Sequence, residues 1–173
     1  MNETIKNILE RRSIRKYKDK EVSEELIDEV LKAGIYAPTG MNRQSPIIIA
    51  ITNKEIRDKL SKINAKIMGV DTDPFYGAPV VIVVLANKNM PTYIYDGSLV
   101  MENMMLAANS LGLGSCWIHR AKEEFETEEG KEILKSLGIE GEYEGIGNCI
   151  LGYPDTEKIE AKPRKENYIY KIK

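Results

Sequence analysis

The chain has 173 residues, with 25 Lys and Arg against 27 Asp and Glu, a formal net charge of -2, and 42% hydrophobic residues. That length suits one folding unit, residues 1–173, and is short for two. Near-neutral charge argues against a general nucleic-acid binder, which needs a basic face; no apolar run approaches the ~18 residues of a membrane span and no signal-peptide pattern follows MNETIKN, so the expectation is a soluble, cytoplasmic protein without nucleic-acid or membrane partners.

The first predicted element is a helix. In NETIKNILERRS (residues 2–13), Ile5, Ile8 and Leu9 recur at helical spacing behind a capping Asn2, so Arg11 and Arg12 fall at the helix end. Residues 11–20, RRSIRKYKDK, then hold six basic side chains and one acid. Such a cluster is either a wet helix terminus or a grip for a small anion. Ser23 is placed to cap a second helix, SEELIDEVLKAGIYAP, in which Leu26, Ile27, Val30 and Leu31 share one side until Pro38 forbids continuation. APTGMNRQSP (37–46) follows. It reads either as a plain connection or, with Thr39, Asn42 and Gln44 carrying hydrogen-bonding groups at close spacing, as a surface for the edge of a planar polar heterocycle.

PIIIAIT (46–52) and APVVIVVLA (78–86) are apolar, β-branched runs that predict strands covered on both faces. Between them NKEIRDKLSKINAKI places Ile56, Leu60, Ile63 and Ile67 on one helical stripe. The segment 96–112, DGSLVMENMMLAANSLG, is apolar almost all round and predicts a helix covered on most sides, either by the core or by a second copy of the chain. Met101, Met104 and Met105 read as core filler. GSCWI (114–118) and EGIGNCILGY (144–153) predict two further strands, with an amphipathic helix near 127–137 between them, and NYIYKIK (167–173) alternates like a last strand. Gly112 and Gly114 permit close backbone approach just before a strand, and KPRK (162–165) is a second basic cluster. With two distant cysteines, Cys116 and Cys149, and a single histidine, His119, no set of metal ligands can be assembled, and no metal is expected.

Taken in order, RRSIRKY, APTGMNRQ, GAPVVIVV, GLGSCWI and KPRK resemble the FMN-dependent nitroreductase family over essentially the whole chain. The resemblance implies an α+β, three-layer fold with a mostly antiparallel central sheet flanked by helices. It also implies an intertwined homodimer with FMN at each of two subunit junctions. The activity implied is a ping-pong transfer of electrons from NADH or NADPH to a small electrophile such as a nitroaromatic or quinone. A flavin-binding store or sensor with little turnover is the alternative from another functional class.

The same resemblance distributes the site residues. Arg11 is expected on the FMN phosphate with Arg12 beside it, Ser13 on the phosphate or the ribityl chain, and Arg164, with Lys165, on the same phosphate from the far end of the chain. Arg15 is expected at the pyrimidine edge of the ring, where a guanidinium would stabilise the reduced flavin; no other catalytic residue is assigned. Pro38, Thr39, Gly40, Asn42 and Gln44 would reach the flavin from the partner subunit. Trp117, Ile118, His119 and Arg120 would lie against the dimethylbenzene and N5 side of the ring, chiefly through main chain. Lys16, Lys18 and Lys20 are left as solvated charge. The chain departs from the commoner family pattern in three respects: Ser45 and Pro46 follow Gln44 where an aromatic wall often stands, DTDPFYGAP lacks a flavin-touching lysine, and no extra helices roof the pocket.

Overall fold

The run Val80–Asn87 becomes β2, and the other elements pack against this strand because every residue from Val80 to Ala86 is buried. A computed structural model describes residues 1–157 and 159–173. β1 (Pro46–Ile51), β3 (Gly114–Ile118) and β4 (Tyr143–Gly152) complete a four-stranded sheet of order β1-β2-β4-β3, antiparallel throughout. A bulge at Ile146 shifts the β2–β4 register between Val84 and Leu85, so that Leu85 faces Gly145.

Because side chains alternate along β2, one strand feeds two cores. Val80, Ile82, Val84 and Ala86 join Val30 of α2 (Glu24–Ile35) and Val100, Met101, Met104 and Met105 of α4 (Tyr93–Ser110). Val81, Val83 and Leu85 point the other way, to Leu60 of α3 (Lys54–Met68), Phe125 of α5 (Ala121–Glu126), and Ile133 and Leu134 of α6 (Glu128–Ser136). Helices therefore cover both faces of an antiparallel sheet, the three-layer α+β arrangement expected. Each fully buried Val, Leu or Ile contributes roughly 1.5–3 kcal/mol, so these two cores are the principal source of stability. Cys149 lies in the first core and Cys116 in the second, both as free thiols, and burial pushes the Cys149 thiol up to about 12.

Several boundaries differ from expectation for identifiable reasons. α1 (Glu3–Glu10) is capped by Asn2, whose side chain accepts from the Ile5 N–H at 2.9 Å, whereas Ser23 occupies the cap position of α2 without a side-chain hydrogen bond. The helix foreseen near 127–137 is α6, and a short α5 precedes it: Gly145 allows the Ala121 carbonyl to pack directly on β4, where a Cβ would stand 2.2 Å from the Ala121 oxygen. The tail NYIYKIK is not a strand. A strand needs a ladder partner, and residues 167–173 find none among the described residues of their own chain. Tyr168, Ile169, Tyr170 and Ile172 are all exposed instead.

Candidate functional site

Arg11 closes α1, and the chain then runs beside β3. Ser13 bridges Ser115 in parallel, the Ile14 N–H donates to the Ser115 carbonyl at 2.9 Å, and Tyr17 bridges Pro154. Gly114 makes this approach possible: a Cβ there would meet Ile14 at 2.9 Å. Tyr17 anchors the segment by donating to the Ile14 carbonyl at 2.7 Å, and burial pushes its phenol far up. The outcome is that Arg15, Trp117, Ile118, His119 and Arg120 line one cleft of about 210 Å³.

The opposite wall is the 69–77 loop, and Asp73 shapes it. Its carboxylate accepts from Ser61 Oγ at 2.6 Å, from the Arg57 guanidinium, and from the Phe75 and Gly77 N–H groups at 2.8 Å each. Burial opposes the charge on Asp73. The hydrogen bonds from Ser61, Arg57 and the two backbone groups outweigh it and hold the carboxyl below its usual range.

Beneath the cleft lies a fully buried polar network. Asn64 of α3 donates to the His119 carbonyl at 2.9 Å and to Glu124 of α5, while its own carbonyl accepts from Arg120 Nε at 2.8 Å. Asn148 of β4 donates to both Glu124 oxygens, at 3.1 and 2.9 Å. The network fixes the His119–Arg120 turn, in which Arg120 adopts φ +79°, a left-handed backbone that favours glycine. Burial pushes the Glu124 carboxyl up to about 7 against the opposing hydrogen bonds from Asn148 and Asn64 and the field of Arg120.

The 38–44 segment stands elsewhere. Gly40–Asn42 form a 3₁₀ turn in which Met41, Asn42 and the nearby Gln44 all have φ near +50°. Asp96 in the first turn of α4 holds it: Oδ1 accepts from the Gly40 N–H at 2.9 Å, and Oδ2 accepts from Ser45 Oγ at 3.2 Å and Thr92 Oγ1 at 3.0 Å. Thr39 Oγ1 accepts from the Gln44 N–H at 3.0 Å. The turn leads into edge strand β1, whereas Arg11–Arg15 run beside the other edge strand, β3. At the far end of α4, Asn109 donates to Asn7 Oδ1 at 2.6 Å and so sits over α1. Asp96 and Asn109 are about 20 Å apart along the helix at 1.5 Å per residue. The two groups of expected site residues therefore do not meet within one chain.

At the α1 end, Arg11 Nε lies 3.6 Å from Glu102 of α4. Arg12 donates through Nη1 to the Leu9 and Arg11 carbonyls at 2.7 and 2.6 Å, while its buried Nε has no hydrogen-bond partner. Arg164 and Lys165 stand in the exposed tail, where the Lys165 ammonium lies 5.1 Å over the Tyr168 ring. The lysines left as solvated charge are partly engaged: Lys16 pairs with Asp155 at 3.1 Å, and Lys20 lies over the Tyr153 ring. Sequence reasoning missed Asp73, Asp96, Glu124, Asn64 and Asn148. Two of these carry a readable signal, since Asn64 sits on the apolar stripe of α3 four residues after Leu60, and Asn148 interrupts the apolar run of β4.

Glu124 has a consequence for stability. Between about pH 4.5 and 7 the native state retains a proton that the unfolded chain releases, so stability declines as pH rises through that window. The decline should amount to about 3 kcal/mol. Urea denaturation at pH 5 and pH 7.5 should show this loss in the wild type and a much smaller one in Glu124→Gln; equal pH dependence in the two proteins would remove Glu124 as its source.

Comparison with known proteins gives a consistent picture. The family model described as Nitroreductase matches residues 8–71 and 68–153. A protein of Archaeoglobus fulgidus, provisionally named NADH dehydrogenase/NAD(P)H nitroreductase, is 36% identical over 91% of this chain and 89% of its own. A Bacteroides fragilis nitroreductase solved with bound FMN superposes with TM-score 0.88 at 28% identity, covering 100% of both chains. A Desulfitobacterium hafniense nitroreductase with bound FMN gives 0.87 at 30% identity, covering 99% of this chain and 100% of that one. With its fold, its sequence and the order of its elements in agreement, the chain belongs to the nitroreductase family.

Proposed function

We propose that residues 1–173 form a single FMN-binding domain that passes electrons from NADH or NADPH to a small electrophile, a nitroaromatic or quinone, in a ping-pong cycle. Two copies would share each cofactor site. The observation that carries this reading is the division of the site. Arg15 and the Trp117–Arg120 turn line one side of a cleft, with Arg11–Ser13 just before Arg15 at the end of α1, while the strained, largely exposed 38–44 turn stands at the other end of α4. Two copies packed head to tail along α4 would bring both halves onto one flavin.

The residues present fit that cofactor. A cleft of about 210 Å³ is smaller than the ~300–1,000 Å³ of complete ligand sites, as a half-site should be. The buried, unpartnered Nε of Arg12 marks unused donor capacity at the end assigned to the phosphate. Further support for the dimer comes from apolar surface that one chain leaves open: Ile8 and Leu9 of α1, Ile35 of α2, and Tyr95 and Leu99 of α4 are all exposed. The strand-patterned tail also lacks a partner while β1 offers a free edge, so the tail would reach over the second copy.

When bound, FMN supplies the capacity to take a hydride from a nicotinamide and pass electrons onward. The protein's part is placement. Arg11 and Ser13 would hold the phosphate, with Arg12 beside them and Arg164 and Lys165 closing from the tail. The Arg15 guanidinium would lie at the pyrimidine edge. Pro38, Thr39, Gly40, Asn42 and Gln44 of the second copy would cover the ring, and Trp117, Ile118 and His119 would border it through main chain. Proton transfer by His119 is not required, because hydride transfer to and from a flavin calls for placement rather than for a protein acid.

The purified protein should be yellow, and anaerobic NADH or NADPH should bleach it; a colourless protein that takes up no added FMN would sink the proposal. Light scattering at micromolar concentration should give about twice 19.6 kDa. A monodisperse monomer that keeps its flavin would contradict a shared site. Arg15 and Arg164 should separate in a redox titration with FMN saturating. Arg15→Gln should lower the flavin midpoint potential, by about 30 mV for each ~1.4 kcal/mol of stabilisation lost from the reduced form. Arg164→Gln should weaken FMN retention with little change in potential, and equal potentials in both variants and the wild type would place Arg15 away from the pyrimidine edge.

A further inference from the structure

The cleft beside β3 holds more positive charge than the cofactor assignment uses. Arg15 and Arg120 both line it, and neither has a carboxylate within salt-bridge distance among the described residues. Asp73 is the one acid in the lining, and its oxygens are taken by Arg57, Ser61 and two backbone N–H groups. With Arg15 assigned to the flavin, the Arg120 charge is left over.

Arg120 is also held deliberately. Its backbone is left-handed, at φ +79°, where an arginine is strained and a glycine would be at ease. Nε is clamped at 2.8 Å to Asn64, which is 0% exposed and is itself fixed by Glu124 and the His119 carbonyl. The clamp uses a neutral amide and engages one edge of the guanidinium, so it orients Arg120 without neutralising it. Its Nη groups make no hydrogen bond among the described residues. A rigid, half-used guanidinium on a cleft wall is suited to a planar carboxylate.

We propose that Arg120 determines acceptor specificity, binding a carboxylate on the acceptor so that anionic nitroaromatics are reduced in preference to neutral ones of the same shape. This rests on the oxidoreductase reading above. In each turnover one hydride from NADH and one proton convert the nitro group to nitroso, releasing water and NAD⁺. The carboxylate takes no part in the bond changes.

The test compares kcat/KM for 4-nitrobenzoate and its neutral analogue 4-nitrobenzamide in FMN-loaded wild type, Arg120→Gln and Arg120→Lys, with NADH as reductant. The wild type should favour the anion by about tenfold, as one charge-assisted bond supplies. The ratio should fall toward unity in Arg120→Gln, through KM, and be intermediate in Arg120→Lys. Binding without turnover should follow: 4-methylbenzoate titrated against the oxidised flavin bands should bind about tenfold more weakly to Arg120→Gln, with 4-methylbenzamide as the neutral control. Should the Gln variant not fold, the wild-type preference must still shrink as salt rises. A flavin-loaded protein that reduces both compounds equally overturns this inference alone, as does an Arg120→Gln effect confined to NADPH over NADH. A protein that takes up no FMN overturns the functional reading and this inference with it.

Discussion

The length and rigidity of α4 govern what one copy of this chain can do. Eighteen residues make a rod about 27 Å long, packed on β2 and β4 through Val100, Met101, Met104 and Met105. Interiors packed at this density do not bend to bring distant groups together. The helix carries Asp96 at one end, holding the 38–44 turn, and Asn109 at the other, holding α1. Whatever joins those ends must therefore come from outside the chain, because the helix is too stiff to fold back on itself.

The second organising feature is polar and buried. Desolvating Glu124, Asn64 and Asn148 costs several kcal/mol unless their hydrogen bonds are made, and nearly all are, with Asn148 Oδ1 left over. Replacing the three by hydrocarbon of similar volume would carry no such cost. Their position under the His119–Arg120 turn gives the network a role that apolar packing cannot fill, because it dictates the direction of a carbonyl and a guanidinium. Dispersion is non-directional, whereas hydrogen bonds are not. The network therefore adds orientation to a site whose stability comes from the two apolar cores.

The elements most legible in the sequence were those whose burial shows as a period. β2, with a continuous β-branched run, and α4, apolar almost all round, are both evident in the sequence, whereas the meeting of Arg15 with Trp117–His119 in one cleft is a product of the fold. The tail misled because alternation is a property of the segment, while strand formation is a property of a pair, and the chain supplies no partner. α5 escaped notice because six residues, AKEEFE, are too few to display a helical stripe. The left-handed residues Met41, Gln44, Tyr76 and Arg120 were unreadable for a different reason: none is a glycine or an asparagine, so the residue type does not announce the conformation.

Two of the strained turns are built alike. Met41, Asn42 and Gln44 form a turn held by Asp96, which is 3% exposed; Arg120 forms a turn held through Asn64 to Glu124, which is 0% exposed. In each case a carboxyl group embedded in a regular element reaches out, directly or through an amide, to a backbone that would otherwise relax. A left-handed, non-glycine backbone costs of order 1–3 kcal/mol, a conformation that persists only where its surroundings over-determine it. Catalytic and binding groups must be kept within about half an ångström of their working positions, and rigid elements do this better than loops. The chain reconciles the two demands by placing strained turns at the rim and tying each to a buried acid on a helix, so that the rim inherits the precision of the core.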